Sequence, residues 1–425
     1  MKIKLLLASM ALSLGVTAQT TFGNDLMRRP ISARAAGLGN AYTAVVNDAS
    51  AMYWNPGALG MLRYSSINIS GWMGKNLTSL SETSYGSVYG FEDATVESKM
   101  KFGFNEFSVA VPIPFDTYSD FYVVPSFSRR ESANVGAFEE LWTIERQDDN
   151  FTTATETIQF VQGGGRKETS FGLGFGIGEN IGLGFTYNVY GGELDYYMNQ
   201  KFEYGFESSE DEFTEAYMYS GAYYSFGFRA STQDASDSEF DLYEDYGEGV
   251  DFGFTLTFPH QRQTMYTNDL QGEMTVFTTE PARITSGLAF RLTDNLWCLD
   301  MSYVDYSNDF TVYKQGPMGH MVAPNSNSFD NMLTLSMGYE YYKMFRLGLM
   351  GRNYQYRDED GFQPWTATIT TGFTANFSET VVWDVTGQFE IFNREEFIDY
   401  GDGETLDYKG AVFNLFSTLR IIIPY

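Results

Sequence analysis

Strict two-residue alternation, repeated over most of the chain, is the feature that most limits how this sequence can fold. Ile181, Leu183, Phe185, Tyr187 and Val189 alternate with Gly182, Gly184, Thr186 and Asn188. Leu333, Leu335, Met337, Tyr339 and Tyr341 alternate with Thr334, Ser336, Gly338 and Glu340. The same holds for Trp365, Ala367, Ile369 and Phe373 against Thr366, Thr368, Thr370 and Gly372, and for Trp383, Val385, Phe389 and Ile391 against Asp384, Thr386, Gln388 and Glu390. A strand sends successive side chains to opposite faces, so each segment has one greasy, aromatic face and one polar or tiny face. The chain is therefore all-β. A soluble sandwich turns such apolar faces inward. A barrel in lipid turns them outward and lines its lumen with the polar face. After the N-terminus no apolar run reaches the roughly 18 residues of a spanning helix, and a mean hydropathy of -0.27 is what alternating strands average to.

The termini and the connections separate the two readings. Lys2 and Lys4 precede an apolar stretch from Leu5 to Val16, and Val16-Thr17-Ala18 offers small residues for cleavage before Gln19. Residues 1–18 read as a secretory signal peptide, so the mature chain leaves the cytoplasm. Alternating segments fall at about 62–73, 104–115, 119–130, 169–178, 180–197, 249–259, 262–278, 281–292, 294–305, 329–341, 343–354, 363–376, 379–391 and 410–425. That is about fourteen strands, the even number expected of a bacterial outer-membrane barrel spanning residues 62–425. Short turns are expected near Asp116-Thr117, Glu179-Asn180, His260-Gln261, Asp294, Tyr342-Lys343 and Ser378-Glu379. Longer stretches at 74–103, 131–168, 198–248, 306–328, 355–362 and 392–409 lie between them, and only the connection near 278–281 breaks the rhythm. Short periplasmic turns and long outer loops place both termini on the periplasmic side. The last segment puts Phe413, Leu415, Leu419, Ile421, Ile423 and Tyr425 on one face.

Charge excludes further classes. Against 27 Lys+Arg stand 55 Asp+Glu, a formal charge of -28, which leaves no basic footprint for nucleic acid. A single cysteine, Cys298, allows no internal disulfide, and His260 and His320 are too few for a histidine-rich metal site. No Gly-x-Ser-x-Gly elbow occurs, and the glycines at 172, 174, 176 and 178 lie on an alternating strand rather than before a helix. No catalytic residue, metal ligand or cofactor is assigned. Residues 207–251 carry thirteen acidic residues among tyrosines. They read as a solvated outer loop, or as carboxylates for calcium or calcium-bridged lipopolysaccharide, although no calcium-loop spacing is present.

Residues 19–61 do not alternate. Ser32 to Tyr42 is mostly small, and Asn47 to Asn55 reads as a short helix capped by Asn47 or Asp48 and stopped by Pro56. A fourteen-strand lumen is too wide for wall side chains to fill, so this segment is expected to lie inside as a plug. Here the sequence resembles the FadL/TodX family of outer-membrane transporters. The likeness lies in Ala35-Ala36-Gly37-Leu38-Gly39-Asn40-Ala41-Tyr42 followed by Asn47-Asp48-Ala49-Ser50-Ala51-Met52-Tyr53-Trp54-Asn55-Pro56, where Gly57 departs from the family's usual alanine. A second similar stretch is Pro281 to Arg291 with Asn295, Trp297, Asp300 and Tyr303.

The resemblance implies a fourteen-strand antiparallel barrel with an N-terminal hatch over residues 19–61, marked by Gly37, Gly39, Asn47, Asp48, Asn55 and Pro56. It implies passive transport of long-chain fatty acids or other hydrophobic compounds, through a lumen pocket and a lateral opening in the wall. Pro125, in the third expected strand, is the candidate for that opening because proline removes a ladder bond. Phe22 and Leu26 are candidate ligand contacts. Arg28, Arg29 and Arg34 are suited either to a ligand carboxylate or to lumen carboxylates such as Asp300, Glu340, Asp384 and Glu390, which would lock the segment in place. The alternative on the same scaffold is a subunit or substrate shuttle of an outer-membrane secretion complex, similar to the type IX shuttle, with the outer loops docking a partner protein.

Overall fold

A computed structural model describes residues 31–423 apart from 83–89, 116–120, 134–137, 148–152, 179, 205–206, 233–247, 269–271, 307–311, 316–320, 323–330, 354–362, 364 and 394–405. The signal peptide, Phe22, Leu26, Arg28, Arg29 and His320 lie outside these residues. The wall strands are β1 (Ser65–Glu82), β2 (Lys101–Ala110), β3 (Phe121–Ala133), β4 (Thr153–Ile177), β5 (Ile181–Tyr204) and β6 (Glu207–Ser231). Next come β7 (Gly249–Thr257, resuming at His260–Asn268), β8 (Gly272–Glu280, resuming at Arg283–Leu292), β9 (Asn295–Val304) and β10 (Met332–Tyr341). β11 (Phe345–Asn353), β12 (Trp365–Ser378), β13 (Val381–Asn393) and β14 (Leu406–Ile423) complete the wall. Each pairs antiparallel with its neighbours, and β14 returns to β1 in one register from Ser65↔Ile423 to Glu82↔Leu406. The result is a closed barrel of 14 strands.

The barrel is inside-out. Ile181, Phe185, Tyr187 and Val189 of β5 are exposed, whereas Gly182, Gly184, Thr186 and Asn188 are buried. Leu335, Met337, Leu347, Leu349, Ile369, Phe373, Phe389 and Ile391 continue the exposed band, and Glu340, Arg346, Thr368, Asp384 and Thr386 lie within. Only a bilayer can cover such a band without leaving greasy surface in water.

Three expectations are corrected. First, residues 207–231 are not an outer loop: they form β6, paired with β5 from Ile181↔Ala230 to Tyr204↔Glu207. The alternation was hidden because both faces of β6 carry rings, with Tyr217, Tyr219 and Tyr223 buried inside and Tyr224 exposed. Second, His260-Gln261 is not a turn. Residues 249–259 and 262–278 belong largely to one strand, β7, and β8 covers 272–292. One missed strand and one strand counted twice leave the total unchanged, and the irregular connection near 278–281 disappears into β8. Third, the short helix stops before Pro56 as expected, but it spans only Ala51–Trp54 with Ser50, not Asn47 or Asp48, at its N-cap, and Pro56 opens a separate 3-10 helix, Pro56–Met61.

The turns at 178–180, 293–294, 342–344 and 379–380 share one barrel end. The C-terminal end of β6 and the start of β7 lie at that end too, where the Ser231 N–H donates to the Asn180 carbonyl and the Thr232 N–H to that of Val250. At the other end β4, β5 and β6 run to 25, 24 and 25 residues. A span needs only about 9–11, so these arms rise well beyond the bilayer. The arms' inner face mixes apolar and polar groups: Ile158, Phe160, Leu194, Met198, Tyr217 and Tyr219 are buried there beside Glu156, Gln200 and Glu215.

Candidate functional site

Residues 31–62 lie within the barrel, and nearly all are buried. They comprise helix α1 (Ala33–Gly37), helix α2 (Ala51–Trp54) and the 3-10 helix. Such short helices leave most of their backbone polar groups without internal partners. Small wall hydroxyls and a few charged residues supply them. Thr418 Oγ1 accepts the Ala33 N–H (2.8 Å), Thr386 Oγ1 donates to the Ala33 carbonyl (2.6 Å) and Thr370 Oγ1 to that of Gly37 (3.2 Å). Ser70 donates to Ile31 (2.6 Å), Arg229 to Val46 (2.6 Å) and Thr255 to Trp54 (3.0 Å). Asp300 Oδ2 accepts the N–H groups of both Tyr42 (2.9 Å) and Thr43 (2.8 Å). Partners thus come from β1, β6, β7, β9, β12, β13 and β14, on all sides of the segment.

The motif residues each have a task. Asn55 donates to the carbonyls of Thr43 and Phe228, both at 2.9 Å, and accepts from the Gly57 N–H, so it ties α2, the 3-10 helix and β6 together. Asp48 Oδ1 accepts from the Ser50 N–H (2.8 Å) and from Asn68 of β1 (3.0 Å), which turns the chain into α2. Burial, with the nearby Asp48 carboxylate, pushes the Tyr42 phenol well above its usual range, so it stays protonated and faces Asp48 as a donor. Gly39 has φ +62 and lies against the backbone of Leu349, where a side chain has no room. Gly57, Gly60 and Pro56 press on Gly182, Gly176 and Gly184 of the wall, and a Cβ on Gly184 would collide with the Pro56 carbonyl. The wall glycines expected to face inward do so for this reason.

Of the arginine trio only Arg34 is described, and it binds the wall. Its guanidinium forks onto Glu340 at 2.8 and 3.1 Å and donates to Asn47 at 2.7 Å. Glu340 also holds Arg346, which pairs with Asp384 at 2.9 Å, and Arg420 reaches the same Asp384 at 2.7 Å. Of the two roles open to Arg34 in the sequence, the lumen ion pair is the one present.

Between this segment and β8–β11 lies a cavity of about 80 Å³, lined by Asn40, Thr43, Trp54, Arg283, Asp300, Met332, Met350 and Arg352 among others. Asn40 Oδ1, Trp54 Nε1 and Asp300 Oδ1 are buried there without hydrogen-bond partners among the described residues. The cavity therefore offers donors and acceptors together with an aromatic edge and two thioethers. Sequence reasoning missed Trp54, Asn40, Arg283 and Arg352 as cavity residues, since four separate strands and one loop have to converge before they share a space. At Pro125 the β4 flank of β3 is continuous from Phe121↔Ile177 through Pro125↔Leu173, whereas on the other flank the ladder lapses between Ala110↔Ser126 and Ile113↔Val123, across Pro112 and Pro125, with the Val111 N–H donating to the Pro125 carbonyl at 3.1 Å. Among the described residues, no cluster of three or more histidine, cysteine, aspartate or glutamate side chains is placed to hold a metal.

No protein-family model and no curated protein matches the sequence. Solved structures do share the fold. A FadL homologue of Pseudomonas aeruginosa superposes with a TM-score of 0.56 at 12% identity, over 92% of this chain and 98% of that one. The toluene transporter TodX of P. putida superposes with a TM-score of 0.56 at 10% identity, over 93% of this chain and 99% of that one. At such identities the likeness is one of architecture.

Proposed function

We propose that this chain is an outer-membrane passage for hydrophobic molecules, long-chain fatty acids or other largely apolar compounds, with residues 19–61 as its hatch. The observation that carries the reading is the cavity left between the docked segment and β8–β11, inside a wide lipid-facing barrel. A hydrophobic solute crosses a polar surface layer poorly. The aliphatic and aromatic groups on the inner faces of the β4–β6 arms, Ile158, Phe160, Leu194 and Met198 among them, offer it a first resting place, worth roughly 25 cal/mol for each Å² taken out of water. The cavity beside Trp54, at about 80 Å³, has room only for the polar end of such a solute, which Arg283, Arg352 and the unpaired polar atoms suit. Phe22, Leu26, Arg28 and Arg29, which precede the docked segment in the sequence, are proposed as further ligand contacts. The solute then leaves sideways through the wall into the bilayer. The fold shared with the toluene transporter TodX supports the reading. No step makes or breaks a bond, so the protein acts by differential burial alone.

The test is uptake of labelled oleate and labelled toluene by proteoliposomes holding the wild type or Trp54→Ala. The passage predicts uptake above that of protein-free vesicles and a changed rate in the variant. Uptake of both probes no faster than in empty vesicles would end the proposal.

A further inference from the structure

Neighbouring strands from β2 to β8 lose their regular geometry at one height. Glu106, Arg130, Glu168, Tyr190, Gly221 and Arg262 follow one another as direct cross-strand partners from β2 to β7 and mark that level. The irregularities lie within four residues of this row. β2 carries an extra residue, Asn105, where Ser70↔Glu106 steps to Gly71↔Phe104. β3 carries an extra Ser132 between Glu131↔Lys167 and Ala133↔Arg166. β4 passes through Gly164 and Gly165 with φ +81 and +153, and β5 through Gly192 with φ +158. Between Ser225↔Thr257 and Gly221↔Arg262, β7 uses one residue more than β6. Pro259 of β7 and Pro281 of β8 bring no N–H to the ladder.

The level is the outer surface of the membrane. β5 rises from its turn to the row over the ten residues Ile181 to Tyr190, and a span takes about 9–11. Beyond the row the strands continue as one sheet, in the order 90–98, 138–147, 153–162, 193–204, 207–220, 262–268 and 272–279. On the other side of the barrel β9 to β12 pair without a slip, and β9 and β11 stop at Val304 and Asn353. β1 and β14 rise in one unbroken register. The irregular collar thus coincides with the strands that carry the sheet. Bulges and strand glycines bend and twist a sheet locally. A Cβ on Gly164 would lie 2.0 Å from the Glu193 carbonyl oxygen, so this bend admits no side chain there. Past the bend Ile158 and Leu194 are wholly buried, although they stand on the water side of the membrane. At the bend Arg166 lies over the Tyr190 ring at 4.2 Å, and Arg262 pairs with Glu280 at 2.9 Å.

We propose that the collar is a hinge and the sheet beyond it a lid, closed over the lumen mouth in the form seen here and able to swing away and admit an apolar solute. Irregularities aligned from strand to strand allow neighbours to turn together while the ladders above and below them stay whole. Swinging away bares Ile158, Leu194 and Met198 to water, so a solute that covers them favours closure. What passes rests on the transport reading above; the motion is testable without it.

Leu194→Cys in a Cys298→Ser background reports opening, because a water-soluble maleimide reaches a buried thiol only when its cover lifts. Gly163→Thr with Gly191→Thr stiffens the collar in its present form. A Cβ at Gly163 meets nothing within 4 Å, and one at Gly191 meets only the Tyr219 carbonyl at 3.4 Å. The hinge predicts that the two threonines slow labelling in proteoliposomes roughly tenfold, with assembly checked by heat-modified gel mobility. A Leu194→Cys thiol that stays unlabelled, or labels at one rate with and without the threonines, overturns the hinge. A second measurement leaves the buried face untouched. Spin labels on Ser209→Cys of the arm and Lys75→Cys of β1, both exposed positions, read the separation of lid and wall. The hinge predicts two separations, the longer one depleted by the threonines. A single narrow separation in both proteins overturns it. Slowed labelling without any toluene uptake upholds the hinge and overturns only the transport reading.

Discussion

Removing either partner of the Arg34–Glu340 fork should undock the N-terminal segment, and by different amounts. Both side chains are buried, at 8% and 0% exposure. Arg34→Ala deletes two hydrogen bonds to Glu340 and one to Asn47, but Glu340 keeps Arg346 as counter-ion. Breaking one side of a buried pair costs about 3–5 kcal/mol, so this variant belongs near 3. Glu340→Ala strips the carboxylate from two guanidiniums at once, with Asp384 left to Arg346 and Arg420, and belongs near 5 kcal/mol. At 1.4 kcal/mol per tenfold, an Arg34→Ala effect of 3 raises the undocked population roughly a hundredfold. Ser50 is fully buried in the segment and its hydroxyl has no partner among the described residues, so Ser50→Cys with Cys298→Ser makes a quiet reporter. Labelling by a water-soluble maleimide should quicken roughly a hundredfold in Arg34→Ala and further in Glu340→Ala. Equal labelling rates in all three proteins would refute the reasoning, because the ion pair would then not be what holds the segment.

Three further outcomes follow from the same geometry. Gly184→Val drives a side chain into the Pro56 carbonyl and should expose the Ser50→Cys reporter while the barrel still assembles, read by labelling beside heat-modified gel mobility. Leu349→Arg places a charge on the lipid face and should cost about 2–4 kcal/mol in urea-driven unfolding from lipid, unlike Lys or Arg at the exposed tips of the β4–β6 arms. Glu106 of β2 is fully buried, and neither of its oxygens has a hydrogen-bond partner among the described residues, because Arg130 opposite it turns to Glu168. Glu106→Gln should therefore stabilise the barrel by about 1–3 kcal/mol in the same unfolding assay, and a loss of stability would show that the carboxylate has a use.

The wall was legible because each strand is read against two solvents. Leu347 and Leu349 meet lipid while Arg346 and Gly348 meet the lumen, and that contrast is written in consecutive letters. β6 was illegible for the opposite reason. Tyr217, Tyr219 and Tyr223 fill the lumen with rings, so the two faces no longer differ. The split of β7 and β8 misled for a related reason: Pro259 and Pro281 look like strand ends, although the chain continues past both. Asn55 and Asp48 stood out as motif positions, but their partners Phe228 and Asn68 did not.

What the letters alone determined was the all-β class, the outward turn of the greasy faces and a non-alternating segment that needed somewhere to go. Each follows from local periodicity, which neighbours in sequence carry. Only the closed barrel decided that Arg34 would find Glu340 and that Thr370, Thr386 and Thr418 would serve the backbone of α1. Those pairings join residues up to 385 positions apart. Sequence spacing holds no information about them until ring closure sets which strands, in which register, face the same space.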